Sequence, residues 1–176
     1  MRSVTPIHEL EALHEGAYGW SLHCCGKDPE AAKDVLQSSY ARVLSGTAGH
    51  RGDGSLRSFL FGVIRRVALE EFRRGVRERD GLRERGRRSA PSSIDGRAGA
   101  DPIENAEREE LHRRIRAALA TLSPRQQEIL HLTFYQGLTV EQSADVLSIA
   151  VGSARKHYER GKDSLRHRCA SFARYF

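Results

Sequence analysis

The chain has few cysteines, and the three it has, Cys24, Cys25 and Cys169, do not suit a disulfide framework. The number is odd and two are adjacent, so reduced thiols are expected. His23-Cys24-Cys25 has no CxxC or HxxxH pairing beside it, and His167 with Cys169 is distant, so no metal site is expected. No apolar run approaches the roughly 20 residues that a helix needs to cross a bilayer. The opening MRSVTPIHELEALHEG lacks a signal-peptide apolar region. These absences predict a soluble, cytoplasmic chain with no membrane partner. No stretch alternates apolar and polar residues as a half-buried strand would.

Enzyme signatures are missing as well. There is no GxxxxGK[ST] loop, because the glycine-rich Gly46 to Ser55 has no lysine, and there is no GxSxG elbow or HExxH pair. Cys25 lacks the arginine six residues on that a thiol phosphatase loop would want. No catalytic residue and no cofactor is expected.

Positive charge, by contrast, is plentiful. The formal net charge is +6, and arginine far outnumbers lysine. A guanidinium donates two parallel hydrogen bonds, which suits phosphate and guanine. Basic character alone fits solubility or a membrane surface equally well, so the partner has to come from the pattern.

The pattern is clearest from Leu122 to Arg168. Ser123-Pro124 offers an N-cap followed by proline at the first helical position, with Gln126 set for a capping box. Ile129, Leu130 and Phe134 supply an apolar face, and Gly137 ends that helix. Thr139 with Gln142 is a second capping box, opening a helix to about Leu147. After Ser148-Ile149-Ala150, a basic helix runs from about Val151 to Arg168. A short helix, a tight turn and a basic second helix make a helix-turn-helix, whose second helix enters the DNA major groove. Ala154, Tyr158, Gly161 and Leu165 form its inward stripe, leaving Ser153, Arg155, Lys156, Glu159 and Arg160 for DNA. A plain helical bundle is the alternative. Small Ala144 at the helix crossing, the stripe and the outward cations favour DNA.

The first half also reads as helices. Thr5-Pro6 starts one, with Leu10, Leu13, Ala17 and Tyr18 as its stripe. Asp28-Pro29-Glu30 starts another, with Ala32, Val35, Leu36, Tyr40, Val43 and Leu44 on one face and Lys33, Asp34, Gln37, Ser38 and Ala41 on the other. A loop over Gly46 to Ser55 precedes a third, Leu56 to about Arg74, with Leu60, Val63, Ile64, Val67 and Phe72 apolar among arginines. From Arg77 the chain is arginine-rich and then SAPSSIDGRAGADP, too poor in apolar residues to offset chain entropy. The arginine-rich part can continue the helix before it. A stripe of Leu111, Ile115, Ala118, Leu119 and Leu122 then leads into the helix-turn-helix. The fold class is all-α: two small helical domains, residues 1–76 and 105–176, joined by a flexible linker over 77–104.

Together these residues resemble a bacterial sigma factor of the extracytoplasmic-function class, which has two domains called regions 2 and 4. Region 2 is resembled through Asp34-Val35-Leu36-Gln37 with Tyr40, then Phe59-Leu60, Ile64 and Arg73-Arg74. Region 4 is resembled through Leu122-Ser123-Pro124, the helix-turn-helix, Gly152-Ser153, Arg160-Gly161 and Leu165-Arg166. The likeness covers roughly residues 10–75 and 105–168. It implies a protein that binds core RNA polymerase and recognises promoter DNA, double-stranded and melted. The element near −35 would meet the recognition helix. The element near −10 would meet Arg57, Arg65, Arg66, Arg73 and Arg74, and the polymerase would meet Asp34, Gln37, Ser38 and Ala41.

Departures from the family are Phe59 for a usual tryptophan, Arg66 for asparagine, Glu70 for aspartate, Ser148 for glycine and Ala154 for valine. Arg66 changes the donors and acceptors offered at a base-reading position. The polymerase face carries lysine and serine where acids are usual. An anti-sigma factor, or a Ser/Thr kinase acting at Ser38, Ser39 or Thr47, are further partners that the resemblance suggests. The rival readings are a helix-turn-helix regulator that never touches polymerase, and an adaptor that binds no DNA.

Overall fold

Asp28 shows how directly the local sequence sets this fold. Its carboxylate accepts the amides of Glu30 and Ala31, and Pro29 occupies the first helical position, where its missing N–H costs nothing. In the computed structural model, which describes residues 7–49, 54–82, 113 and 115–169, that cap opens α3 (Pro29–Leu44). Before it come α1 (Ile7–Ala12) and α2 (His14–Cys24), and after it α4 (Leu56–Leu82). A helical stretch over 115–120 leads to α5 (Pro124–Leu130), extended by a π-helical turn (His131–Tyr135), then α6 (Val140–Leu147) and α7 (Val151–Cys169). No strand occurs among the described residues. The expected tether from residue 83 onward, the Thr5-Pro6 start, Leu111 and loop residues 50–53 lie outside them.

Both expected capping boxes form. Ser123 and Thr139 accept the amides of Gln126 and Gln142, whose side chains reach back to the capping residues' own amides. Ser148 ends α6 in the left-handed region at φ 54°, and Ile149 N–H donates to the Ala144 carbonyl at 3.0 Å. The helix from Leu56 runs eight residues past Arg74, to Leu82, as the arginine-rich stretch allows. Two details depart from the pattern. The first stripe breaks at Leu13 into two helices. Phe134, Leu44 and Phe72, placed on apolar faces by periodicity, are exposed, Phe134 by 63%. For Phe134 the reason is the π turn, whose wider winding rotates the last residues away from the stripe that Ile129 and Leu130 bury.

The core is continuous through both halves of the chain. Trp20 is wholly buried between α2 and α4, donating its indole N–H to the Phe61 carbonyl at 3.0 Å. Leu60, Phe61, Val63, Ile64 and Val67 of α4 join this cluster, which runs on into Ile129, Leu132, Val146 and Leu147. Gly62 of α4 lies at the crossing with α6. A methyl there would make ordinary contact with the Val146 backbone at 3.9 Å, and only a larger side chain would meet it closely.

Ser148 yields a stability prediction. A serine in the left-handed region carries a Cβ penalty that glycine lacks. Ser148→Gly should therefore stabilise the fold by about 0.5–1 kcal/mol after the extra chain entropy of glycine is subtracted, read as a higher urea midpoint.

Candidate nucleic-acid interface

The helix-turn-helix presents its expected residues together. Ala154 and Gly161 are buried against α5 and α6, with Tyr158 and Leu165 half-buried beside them. A Cβ on Gly161 would sit 2.9 Å from Leu130 Cδ1, so glycine lets α7 approach α5 closely. Ser153, Arg155, Lys156, Glu159 and Arg160 are all exposed on the opposite side. Arg155 donates to Glu141 of α6 at 2.8 Å, and Glu159 pairs with Lys162 at 3.2 Å. The Arg155 hydrogen bond holds the Glu141 carboxyl below its usual range. Both pairs are solvent-exposed, contribute little and are screened by salt, so a phosphate can displace them.

The arginines assigned to the other DNA element divide into two groups. Arg66, Arg73 and Arg74 are exposed along α4, with Arg74 paired to Glu71. Arg57 and Arg65 are instead covered by the C-terminal half. Arg65 Nε donates to Glu128 Oε1 at 2.9 Å, with side chains only 13% and 17% exposed, and Arg125 meets the same carboxylate at 2.9 Å. Arg57 Nη1 donates to the Gln136 carbonyl at 2.8 Å, and its Nε is buried without a partner among the described residues. The sequence indicated these arginines but not what covers them.

Aromatic rings seal the same junction. His23 of α2 and His131 of the π turn stack with centroids 4.4 Å apart, Trp20 lies 5.3 Å from His23 and 5.4 Å from His131, and Tyr135 lies 5.3 Å beyond His131. Burial lowers the His23 pKa, and burial followed by the neighbouring His23 lowers that of His131 to about 4. Burial also raises the Cys24 thiol, and that of Cys25 to about 11, so both stay protonated at neutral pH. No group of three or more potential metal ligands occurs among the described residues.

On α3, Asp34, Gln37 and Ala41 are exposed and Ser38 is half-buried, all on one side. Beside them lies an open groove of about 360 Å³ lined by Ile7, Leu10, His14, Tyr40 and Leu44, of which Leu10, Tyr40 and Leu44 belong to the expected apolar stripes. Leu44 ends its stripe where no element among the described residues covers it. Ser39 is fully buried, its hydroxyl bonded to the Val35 carbonyl at 2.7 Å, whereas Thr47 is exposed and shares a 2.8 Å hydrogen bond with Ser45. A second open groove, between Phe134, Tyr158, Leu165, Lys162 and Arg166, follows from the turned-out Phe134.

The described residues are all-helical and carry a capped helix-turn-helix with a basic second helix, the arrangement of a class of DNA-binding proteins. The family model described as "Sigma-70, region 4" matches residues 112–165. Two Bacillus subtilis (strain 168) proteins are similar over most of the chain. The "ECF RNA polymerase sigma factor SigX" is 26% identical over 160 residues, covering 89% of this chain and 79% of its own. The "RNA polymerase sigma factor YlaC" is 23% identical over 137 residues, covering 78% and 76%. Among solved structures, the sigma factor RpoE of Bartonella quintana, in complex with the anti-sigma factor NepR, superposes with a TM-score of 0.67 at 17% identity, covering 93% of this chain and 95% of its own. CnrH, in complex with the cytosolic domain of CnrY, gives 0.58 at 20% identity, covering 93% and 87%.

Together these likenesses support an RNA polymerase sigma factor of the extracytoplasmic-function class, which initiates transcription. A regulator acting apart from polymerase is not favoured, because the likeness spans nearly the whole chain and not the helix-turn-helix alone. Sigma factors form a non-catalytic class. No helix among the described residues is long and apolar enough to cross a membrane.

The Arg65–Glu128 pair gives a testable energy. Either Arg65→Ala or Glu128→Ala leaves a poorly solvated charge, so each should destabilise by about 1–3 kcal/mol in urea unfolding, with the double variant well short of the sum. Additive losses would show that the pair contributes nothing as a unit.

Proposed function

We propose a division of labour for promoter recognition. The domain of residues 105–176 reads the element near −35 through Ser153, Arg155, Lys156, Glu159 and Arg160. The domain of residues 1–76 serves the element near −10 through Arg57, Arg65, Arg66, Arg73 and Arg74. The segment over 77–104 joins them. The observation that carries this reading is the outward face of α7, where five polar or charged side chains stand exposed opposite Ala154 and Gly161. The start of such a helix reaches base edges. Melting requires a base to be captured out of the stack, which cationic contacts along the backbone assist. Two weak modules on one chain raise each other's effective concentration at the promoter.

Core polymerase docks, in this reading, on Asp34, Gln37, Ser38 and Ala41 of α3, and the neighbouring Tyr40–Leu44 groove adds apolar contact. The chain works in the cytoplasm, without catalysis of its own and without a cofactor. An anti-sigma factor is a fitting partner, as one is bound to the Bartonella relative.

The weakly acidic docking face supports a second kind of control. Lys33 there is spent on Glu30 at 2.8 Å, leaving Asp34 as the acid of the set. Either Asp34 and Gln37 suffice, or a Ser/Thr kinase adds the missing charge. Phosphorylation of Ser38 would bring nearly two negative charges to the face. The buried, bonded hydroxyl of Ser39 argues against that site, and Thr47 stands exposed beyond the helix.

Replacing Arg155 or Lys156 with alanine should weaken binding to the upstream element. A phosphate contact would reduce the salt slope by about one unit, and a guanine contact would remove about 1–3 kcal/mol of discrimination at one base pair. Unchanged binding after both substitutions would remove α7 from the reading.

For the docking face, phosphorylated protein should bind core polymerase more tightly than unmodified protein, and Ser38→Ala with Thr47→Ala should abolish activity in cells. Full run-off transcription by unmodified protein would refute kinase control and leave Asp34 and Gln37 as sufficient.

A further inference from the structure

We propose that the stacked imidazoles of His23 and His131 form an acid-released latch, which holds the helix-turn-helix half over Arg57 and Arg65 and lets go when an imidazole is protonated. The rings come from opposite halves of the chain and meet face to face at 4.4 Å, so a charge on one is set against the other at close range. Gln136 Nε2 lies 3.3 Å from His131 Nε2. For this contact to be a hydrogen bond the amide donates and the ring accepts, which places the ring proton on Nδ1. Protonating Nε2 would set donor against donor.

The surrounding charges do not rescue an imidazolium. Glu128 of α5 favours a charged His23, but its carboxylate is already engaged by Arg65 of α4 and by Arg125. Lys27, in the turn after α2, opposes the charge. Arg57 of α4 places a further cation on the Gln136 carbonyl. The Cys24 thiol is neutral, and Trp20, Phe61 and Tyr135 contribute rings. Both histidines accordingly titrate below 6.5 in the packed arrangement, with His131 down to about 4.

A group whose pKa is depressed by packing supports the packed state while it is neutral. The latch is thus at full strength above the released-state value of about 6.5 and weakens as pH falls toward 4. At about pH 5.5, His131 alone shifts the balance toward the open form roughly tenfold, and His23 adds in the same direction. Opening uncovers Arg57, whose Nε is buried unpaired, and Arg65, whose partner Glu128 leaves with the other half. The consequence for DNA rests on the reading of these two arginines given above, but the opening itself does not.

The chain reports on its own latch, because Trp20 is its single tryptophan, stacks on His23 and lies tilted against His131. Trp20 emission, small-angle X-ray scattering and far-UV circular dichroism of the full chain should be followed from about pH 8 down to about pH 5. The expected result is expansion with a red-shifted emission, a midpoint below about 6.5 and helicity retained. Wild-type protein that stays compact, or loses helicity over the same range, overturns the latch. His23→Gln with His131→Gln should hold the protein compact throughout, and expansion of this variant at the wild-type midpoint also overturns the proposal.

If that variant is already open at high pH, Lys27→Asn decides. Lys27 is exposed at φ 69°, which asparagine tolerates, and removing its charge lets the packed state accept a proton on His23 more readily, so the opening midpoint should move down. An unchanged midpoint would refute the latch. Failure of the DNA reading alone would show differently, as a protein that opens in acid without gaining affinity for promoter fragments.

Discussion

The packing of α4 against the helix-turn-helix is the contact on which the rest of this structure depends. Gly62 meets the Val146 backbone at this crossing, and the packing joins what would be two small cores into one. Small domains bury proportionately little surface, so a shared core is a substantial gain for each half. The polar contacts around it are less favourable. Arg65 and Glu128 are largely withdrawn from water, and Arg57 has an unpaired Nε. A dry centre ringed by costly polar groups is a junction that holds firmly yet has defined points of weakness.

That junction bears on function because of what it covers. The recognition face of α7 points outward in the packed arrangement, as do Arg66, Arg73 and Arg74. Arg57 and Arg65 do not. On the proposed division of labour, the chain presents one DNA-facing helix and withholds part of another. A promoter would then compete with intramolecular contacts for those two arginines, and the apparent affinity would fall by the fraction of molecules that are open.

The helix-turn-helix was legible because its instructions are local. Ser123, Pro124 and Gln126, then Thr139 and Gln142, specify their helix starts within four residues, and the Ala154–Tyr158–Gly161–Leu165 stripe fixes which side of α7 faces in. The Asp28-Pro29 start of α3 was equally plain. Leu44 and Phe134 were misplaced for a common reason. Periodicity identifies a stripe but not where its cover ends, and a π turn shifts the register of everything after it. The Tyr40–Leu44 groove followed from that missing cover.

The sequence by itself determined the helices with their caps, most of the side of each that turns inward, the helix-turn-helix and the placing of the basic residues, since these arise from contacts within a few residues along the chain. Only the tertiary structure decided that Arg65 would face Glu128, 63 residues away, and Arg57 the Gln136 carbonyl, 79 away. It also brought His23 and His131 ring to ring over Trp20. Nothing local marks such partners: a histidine and an arginine read the same in a solvated turn as in a sealed junction. What distinguishes them is burial, which strips water from the charge and leaves its free energy to be set by whichever groups the fold places opposite.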